Sequence, residues 1–132
     1  MTQLTFAMDI GLAVLALLVQ AIIYPSLRAV STEQFATHHA WYTRRIVWFV
    51  GPLMIGQVIG YAYRILEVGQ VLDWLAVGLV LTAWVVTGMR AVPLHAKLAG
   101  DGQQEKVIAD LISANGVRTA AWVLIALIWF LR

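Results

Sequence analysis

At 132 residues, 61% of them hydrophobic and 12% charged, with a mean hydropathy of +0.81, the chain is excluded from the ordinary soluble class, where about 25% of residues are charged. It has no cysteine, which excludes disulfides, iron–sulfur clusters and thiolate ligands or nucleophiles. The formal net charge of +2 comes from lysines and arginines flanking apolar runs. These report on membrane orientation and form no basic patch of the kind that binds nucleic acid.

Four apolar runs each approach the ~20 residues a helix needs to cross a bilayer. They predict an all-α integral membrane protein, an up-down four-helix bundle with short loops. It forms a single domain over residues 1–132, with helices at about 4–25, 32–65, 72–97 and 104–131. A chain this short leaves no room for a separate soluble domain.

The first apolar run carries Asp9 and lacks the basic leader of a signal peptide, so it is expected to stay as a helix. Gln20 and Tyr24 lie near its inner end, and the restriction that Pro25 imposes on its predecessor predicts an exit at Tyr24. Ser31-Thr32-Glu33-Gln34 reads as a helix start near Thr32. From Thr32 to Arg64 the second helix would span about 50 Å at 1.5 Å per residue, well beyond the hydrocarbon. Gly51-Pro52 predicts a kink within it. Phe35, His39, Tyr42, Ile46 and Phe49 recur at steps of four and three and form one face, while Trp41, Arg44 and Trp48 form another. His38 reads as a solvated neighbour of His39.

The connection at 67–73 is short, so the second and third helices are antiparallel neighbours. The third carries Ala91 and Gly88 one and two turns before His95, small residues that let a helix or ligand approach. It is expected to end between Pro93 and Leu98, with AGDGQQ at 99–104 as the turn and Asp101 capping the fourth helix. In the fourth, Asn115, Arg118, Thr119 and Trp122 share a face at i, i+3, i+4 and i+7. The apolar run after them covers only about 20 Å at 1.5 Å per residue, so Asn115 and Arg118 must lie within the bilayer.

Seven basic residues, Arg28, Arg44, Arg45, Arg90, Lys97, Lys106 and Arg118, flank the first and third connections, against Arg64 and Arg132 at the opposite ends. The positive-inside rule then sets both termini on the non-cytoplasmic side of a bacterial inner membrane. Trp41 and Trp74 suit the interfacial aromatic belt.

Ionisable groups at membrane depth cost at least ~2.5 kcal/mol each, so they face the bundle interior and mark function. They are all expected at one end of the bundle. His39 and His95 are the candidate catalytic residues, as acid/base groups, or as ligands if a metal is bound. Tyr42, Arg45, Asn115 and Arg118 are candidate substrate-binding groups, with Gln20, Tyr24, Arg90 and Trp122 secondary. Haem or a metal ion is compatible with two histidines, but no dense ligand motif indicates either. Arg44, Lys97 and Lys106 read as headgroup anchors.

The run Gln20, Tyr24-Pro25, Phe35, His39, Tyr42, Arg45-Ile46, Pro52-Leu53-Met54, Pro93-Leu94-His95, Asn115, Arg118-Thr119 and Trp122 resembles a family of small bacterial four-helix membrane proteins. More distantly, the proline-containing end of the first helix and Asn115-x-x-Arg118 resemble the anthrone oxygenase-like membrane proteins, which implies oxidation of a flat hydrophobic substrate. The run from Arg44 to Pro52 is similar to one in four-helix bacterial protoporphyrinogen oxidases, but those rely on a first-helix histidine that this chain lacks.

The expected function is a polar pocket at the cytoplasmic end of the bundle that binds a hydrophobic, oxygenated small molecule, with an oxidoreductase as its enzymatic form. The alternative is a non-enzymatic membrane subunit or lipid-binding module whose polar cluster holds the bundle together, within a homo-oligomer or beside a partner subunit. Transport would require an oligomer.

Overall fold

A computed structural model of the protein describes residues 2–131. Four helices are long and apolar enough to span a membrane: α1 (Thr2–Ser26), α2 (Thr32–Glu67), α3 (Val71–Asp101) and α4 (Glu105–Leu131). Among the described residues there is no strand. The helices run up and down in a ring, with α1 packed on α2 and α4, and α3 packed on α4 and α2. At about 1.5 Å per residue, the 36 residues of α2 measure roughly 54 Å and outreach its neighbours. It stays α-helical through Gly51-Pro52.

Two buried clusters fill the bundle. One, around Leu12, Met54, Val80, Trp122 and Ile125, fills the middle and the end near the termini. The other, around Tyr24, Leu27, Phe35, Ile108 and Leu111, fills the opposite end, called the histidine end below. The buried stripe of α2 runs through Phe35, His39, Tyr42, Met54, Gln57, Tyr61 and Arg64. Phe49 does not belong to it. The stripe passes from Ile46 to the half-buried Val50 by a step of four, and Phe49 is left 64% exposed.

Two further expectations are corrected at helix ends. α1 does not exit at Tyr24 but continues through Pro25 to Ser26, because its turn widens just before the proline. Residues Val19–Ile23 are π-helical, and the Tyr24 N–H reaches back five residues to the Val19 carbonyl. α3 repeats this device before Pro93, where Thr87–Ala91 are π-helical and the Val92 N–H bonds the Thr87 carbonyl. A proline ring clashes with the carbonyl four residues earlier, and a widened turn relieves the clash without breaking the helix. α3 also runs on to Asp101, so that residue closes α3 rather than capping α4. The residue before α4 is Gln104, and the turn between them has Gly102 at φ 80°.

The short connections are fixed by side chains. Gln103 Nε2 donates to the carbonyls of Leu27 (2.8 Å) and Val30 (2.9 Å), tying the 99–104 turn to the α1–α2 loop, and Arg28 pairs with Glu105 beside it at 2.7 Å. At the other end Arg64 Nε donates to Asp73 Oδ1 at 2.8 Å, while Asp73 Oδ2 accepts from the backbone of Gln70.

Candidate functional site

The π turns decide which side chains meet. Each adds one residue to a helical turn, which rotates everything beyond it by about 100° relative to an unbroken α-helix. In α1 the buried positions step from Val19 by five to Tyr24, and in α3 the register after Ala91 carries His95 inward. Tyr24 and His95 then face each other, with the Tyr24 hydroxyl 2.9 Å from His95 Nε2. The other nitrogen of that ring, Nδ1, lies 3.0 Å from Nε2 of His39 on α2. His39 is 2% exposed and is stacked on Phe35, with ring centroids 5.6 Å apart. Tyr42 completes the group, edge-on to Tyr24 at 6.4 Å and 6.3 Å from the His95 ring. The result is a hydrogen-bonded line from Tyr24 through His95 to His39, drawn from three helices.

One tautomer order lets each ring nitrogen donate or accept in turn, so a proton can be handed along this line. Both nitrogens of His95 are committed to it. His39 and His95 are the residues that would hold a metal ion or haem, and in this structure their facing nitrogens are hydrogen-bonded to each other. Among the described residues, no group of three histidine, aspartate or glutamate side chains is placed to hold a metal ion.

Beside the line lies a cavity of about 370 Å³ whose lining includes Tyr24, Tyr42, His95, Asn115, Arg118 and Trp122. Apart from Thr43 and Thr87 the remainder of its wall is apolar, and no acidic residue lines it. Arg118 is 6% exposed, and its guanidinium lies over the Trp122 ring at 4.8 Å. Its Nε is the one buried side-chain nitrogen or oxygen atom with no hydrogen-bond partner among the described residues. A buried guanidinium with a spare donor and no carboxylate in its cavity is the most unusual electrostatic feature of the fold, since such charges are ordinarily paired.

Asn115 is differently placed. Its Nδ2 donates to Gln20 Oε1 at 2.8 Å and lies 3.2 Å from Thr119 Oγ1 and 3.3 Å from the Ala16 carbonyl. Thr119 in turn donates to the Asn115 carbonyl at 2.8 Å. These bonds stitch α4 to α1, so Gln20 and Asn115 hold the wall together. Arg45 lies outside the cavity. It is exposed, with its guanidinium 4.8 Å from the Trp41 ring, on an outer groove of α2 with Thr37, Arg44 and Trp48. Arg90 is exposed and is not among the residues lining this cavity, and His38 stacks on Trp41 at 6.1 Å. Spacing put Arg45 near the inward face, but three residues beyond Tyr42 it falls on the edge of the stripe, where its long stem turns outward.

Buried ionisable groups are not confined to the histidine end, and this corrects the sequence-based expectation. Near the termini Asp9 is completely buried and accepts from Gln57 Nε2 (2.6 Å), the Tyr61 hydroxyl (2.9 Å) and Trp129 Nε1 (2.6 Å). Gln57 Oε1 also accepts from Trp122 Nε1 at 3.3 Å. Arg64 adds its guanidinium over Trp129 at 4.8 Å. Gln57, Tyr61 and Arg64 share a face at i, i+4 and i+7, and that signal was present in the sequence. Through Gln57 and Trp122 this second cluster touches the residue that carries Arg118.

No protein-family model, no curated protein and no solved structure matches this chain, so the functional reading rests on its own geometry.

Proposed function

We propose that the chain is a membrane protein that binds a hydrophobic molecule carrying an oxygenated head in the cavity beside Arg118, at the end that the lysine and arginine bias assigns to the cytoplasm. The observation that carries this is the spare Nε of buried Arg118 in a cavity that is mostly apolar and contains no acidic residue. An oxygen that is anionic or rich in lone pairs supplies what the guanidinium lacks, and the apolar wall accepts the rest of the molecule. Tyr24, Tyr42 and His95 border the same space, so a phenolic or carboxylic head can pass its proton to the Tyr24 hydroxyl as that hydroxyl passes its own to His95. These residues can accept and hand on a proton, and the proposed function is binding with proton exchange.

The test is binding of stearate and of octadecane to the protein in nanodiscs. A hydrogen bond to a charged group contributes about 1.5–3 kcal/mol, so Arg118→Gln should weaken stearate binding roughly 10- to 100-fold and leave octadecane unchanged. His95→Ala should slow exchange of the hydroxyl proton of a bound alkylphenol, read by NMR, with less than about a threefold change in Kd, on the view that a general base contributes ~10²-fold to proton transfer and little to affinity. Equal binding of stearate and octadecane, or no effect of Arg118→Gln, refutes the reading. A specific observation favours the structural alternative for one part of the cluster alone: the bonds of Asn115, Gln20 and Thr119 are all made within the protein.

A further inference from the structure

The cavity has ends of opposite chemistry, and only one of them reaches the surface. Every lining residue from α1 and α4 is buried or half-buried. The exposed ones all come from α2 and α3: Val47 (56%), Ile55 (55%), Trp84 (39%) and Val92 (58%). The opening therefore lies in the groove between α2 and α3, and apolar side chains form its rim. Gly51 lies between Val47 and Ile55 on the same lining, and a Cβ added there would meet no atom within 4 Å. The missing side chain leaves a gap in the wall at the level where a lipid tail would pass.

The polar end is shut. Leu27 (0%), Phe35 (1%), Leu98 (1%) and Ile108 (1%) close over the histidine end as one buried cluster. Gln103 holds the α1–α2 loop down on that cap by two backbone carbonyls, with the Arg28–Glu105 pair beside it. A water-soluble ion has no path to Arg118 from this side. A molecule dissolved in the hydrocarbon meets an apolar rim and, beyond it, a guanidinium with an unused donor.

Resting on the reading that the cavity holds an oxygenated head, we propose that the gap between α2 and α3 is a lateral portal to the bilayer. The ligand passes it head first to Arg118 and leaves its tail between the two helices. That assigns the ligand to single-tailed, bilayer-dissolved amphiphiles with one ionisable oxygen head, a long-chain carboxylate or an alkylated phenol. A volume of about 370 Å³ is near the small end of the ~300–1,000 Å³ typical of ligand sites, which suits a compact head and a few carbons and not the headgroup of a two-chain phospholipid.

The experiment uses the full chain in nanodiscs and two photo-crosslinking probes, a long-chain fatty acid and a long-chain alkylphenol, each with a mid-chain diazirine, mapped by peptide mass spectrometry. Crosslinks from either probe should fall on Val47, Gly51, Ile55 or Trp84, and the probe that labels more strongly identifies the head. Gly51→Phe fills the portal and should cut labelling at least tenfold. Gly78→Phe on α3 also enters open space but lines no part of the cavity, and it should change labelling less than twofold. Should Gly51→Phe fail to fold, the wild-type crosslink map decides by itself.

Crosslinks on residues 27–31 or 98–105, full labelling of folded Gly51→Phe, or equal labelling by a diacyl phosphatidic acid probe overturns the portal. In those cases a loss of labelling in Arg118→Gln shows that the head site still stands. Labelling by neither probe above that of a headless diazirine alkane overturns the head site and the portal together.

Discussion

Replacing Asp9 by alanine should be the most damaging single change near the termini, although Asp9 lies outside the cavity. The carboxyl is completely buried and takes hydrogen bonds from α2 through Gln57 and Tyr61 and from α4 through Trp129, at 2.6, 2.9 and 2.6 Å. Hydrogen bonds between membrane helices contribute about 0.6 kcal/mol on average and up to about 1.7, so three converging on one residue sum to roughly 2–5 kcal/mol. The upper half of that range is expected, because Asp9→Ala removes the one carboxyl on which three donors converge, and two of them, from Gln57 and Tyr61, are buried. Asp9→Asn keeps the volume and one acceptor oxygen and should cost about 1–2 kcal/mol. Reversible unfolding by SDS from mixed micelles, followed by tryptophan fluorescence, measures both. A double-mutant cycle sharpens the result: Tyr61→Phe should cost about 1 kcal/mol in the native background and close to nothing beside Asp9→Ala. Additive costs, or an Asp9→Ala protein within about 0.5 kcal/mol of the native one, would refute the convergence of three helices on this carboxyl.

Two other predictions concern packing and the division of labour at the histidine end. On α2, a Cβ at Gly60 would collide with the stiff, buried Thr5 side chain of α1, whereas one at Gly56 meets only the flexible end of Met8. Gly60→Ala should therefore cost about 1–3 kcal/mol and Gly56→Ala under about 1 kcal/mol in the same unfolding assay, and equal costs would refute the close approach of α1 and α2. Asn115→Ala should lower stability by about 1–2 kcal/mol while changing stearate affinity less than threefold, the reverse of Arg118→Gln; a larger effect on affinity would return Asn115 to the ligand.

The parts of this architecture that depend on local pattern were legible in the chain. Four apolar runs appear as four long helices, and the i, i+3, i+4, i+7 face of Asn115, Arg118, Thr119 and Trp122 is buried as its polarity within an apolar run required. His39 and Tyr42 share the inward stripe for the same reason. What could not be read depends on the path between elements. Tyr24 ranked below Tyr42 as a candidate, because an ordinary helix ending at the proline would not have turned it toward His95. Arg45 was overvalued because spacing fixes the direction of a Cβ and not the course of a long, flexible side chain. Asp9 stands out as a carboxylate in an apolar run, but its partners lie 48, 52 and 120 residues away, beyond any periodicity.

The paired π turns have one more implication, and it concerns descent. A π turn is how a helix absorbs a single inserted residue without losing its packing on either side. Both π turns here sit just before a proline, and each orients one member of the Tyr24–His95 contact. Shortening either segment by one residue would remove the wide turn, bring back the proline's clash and swing that side chain out of the bundle by about 100°. Chains of this lineage should therefore gain or lose the two extra residues together. The pair of insertions would mark which of them inherit the buried histidine line, even where the surrounding apolar residues have drifted beyond recognition.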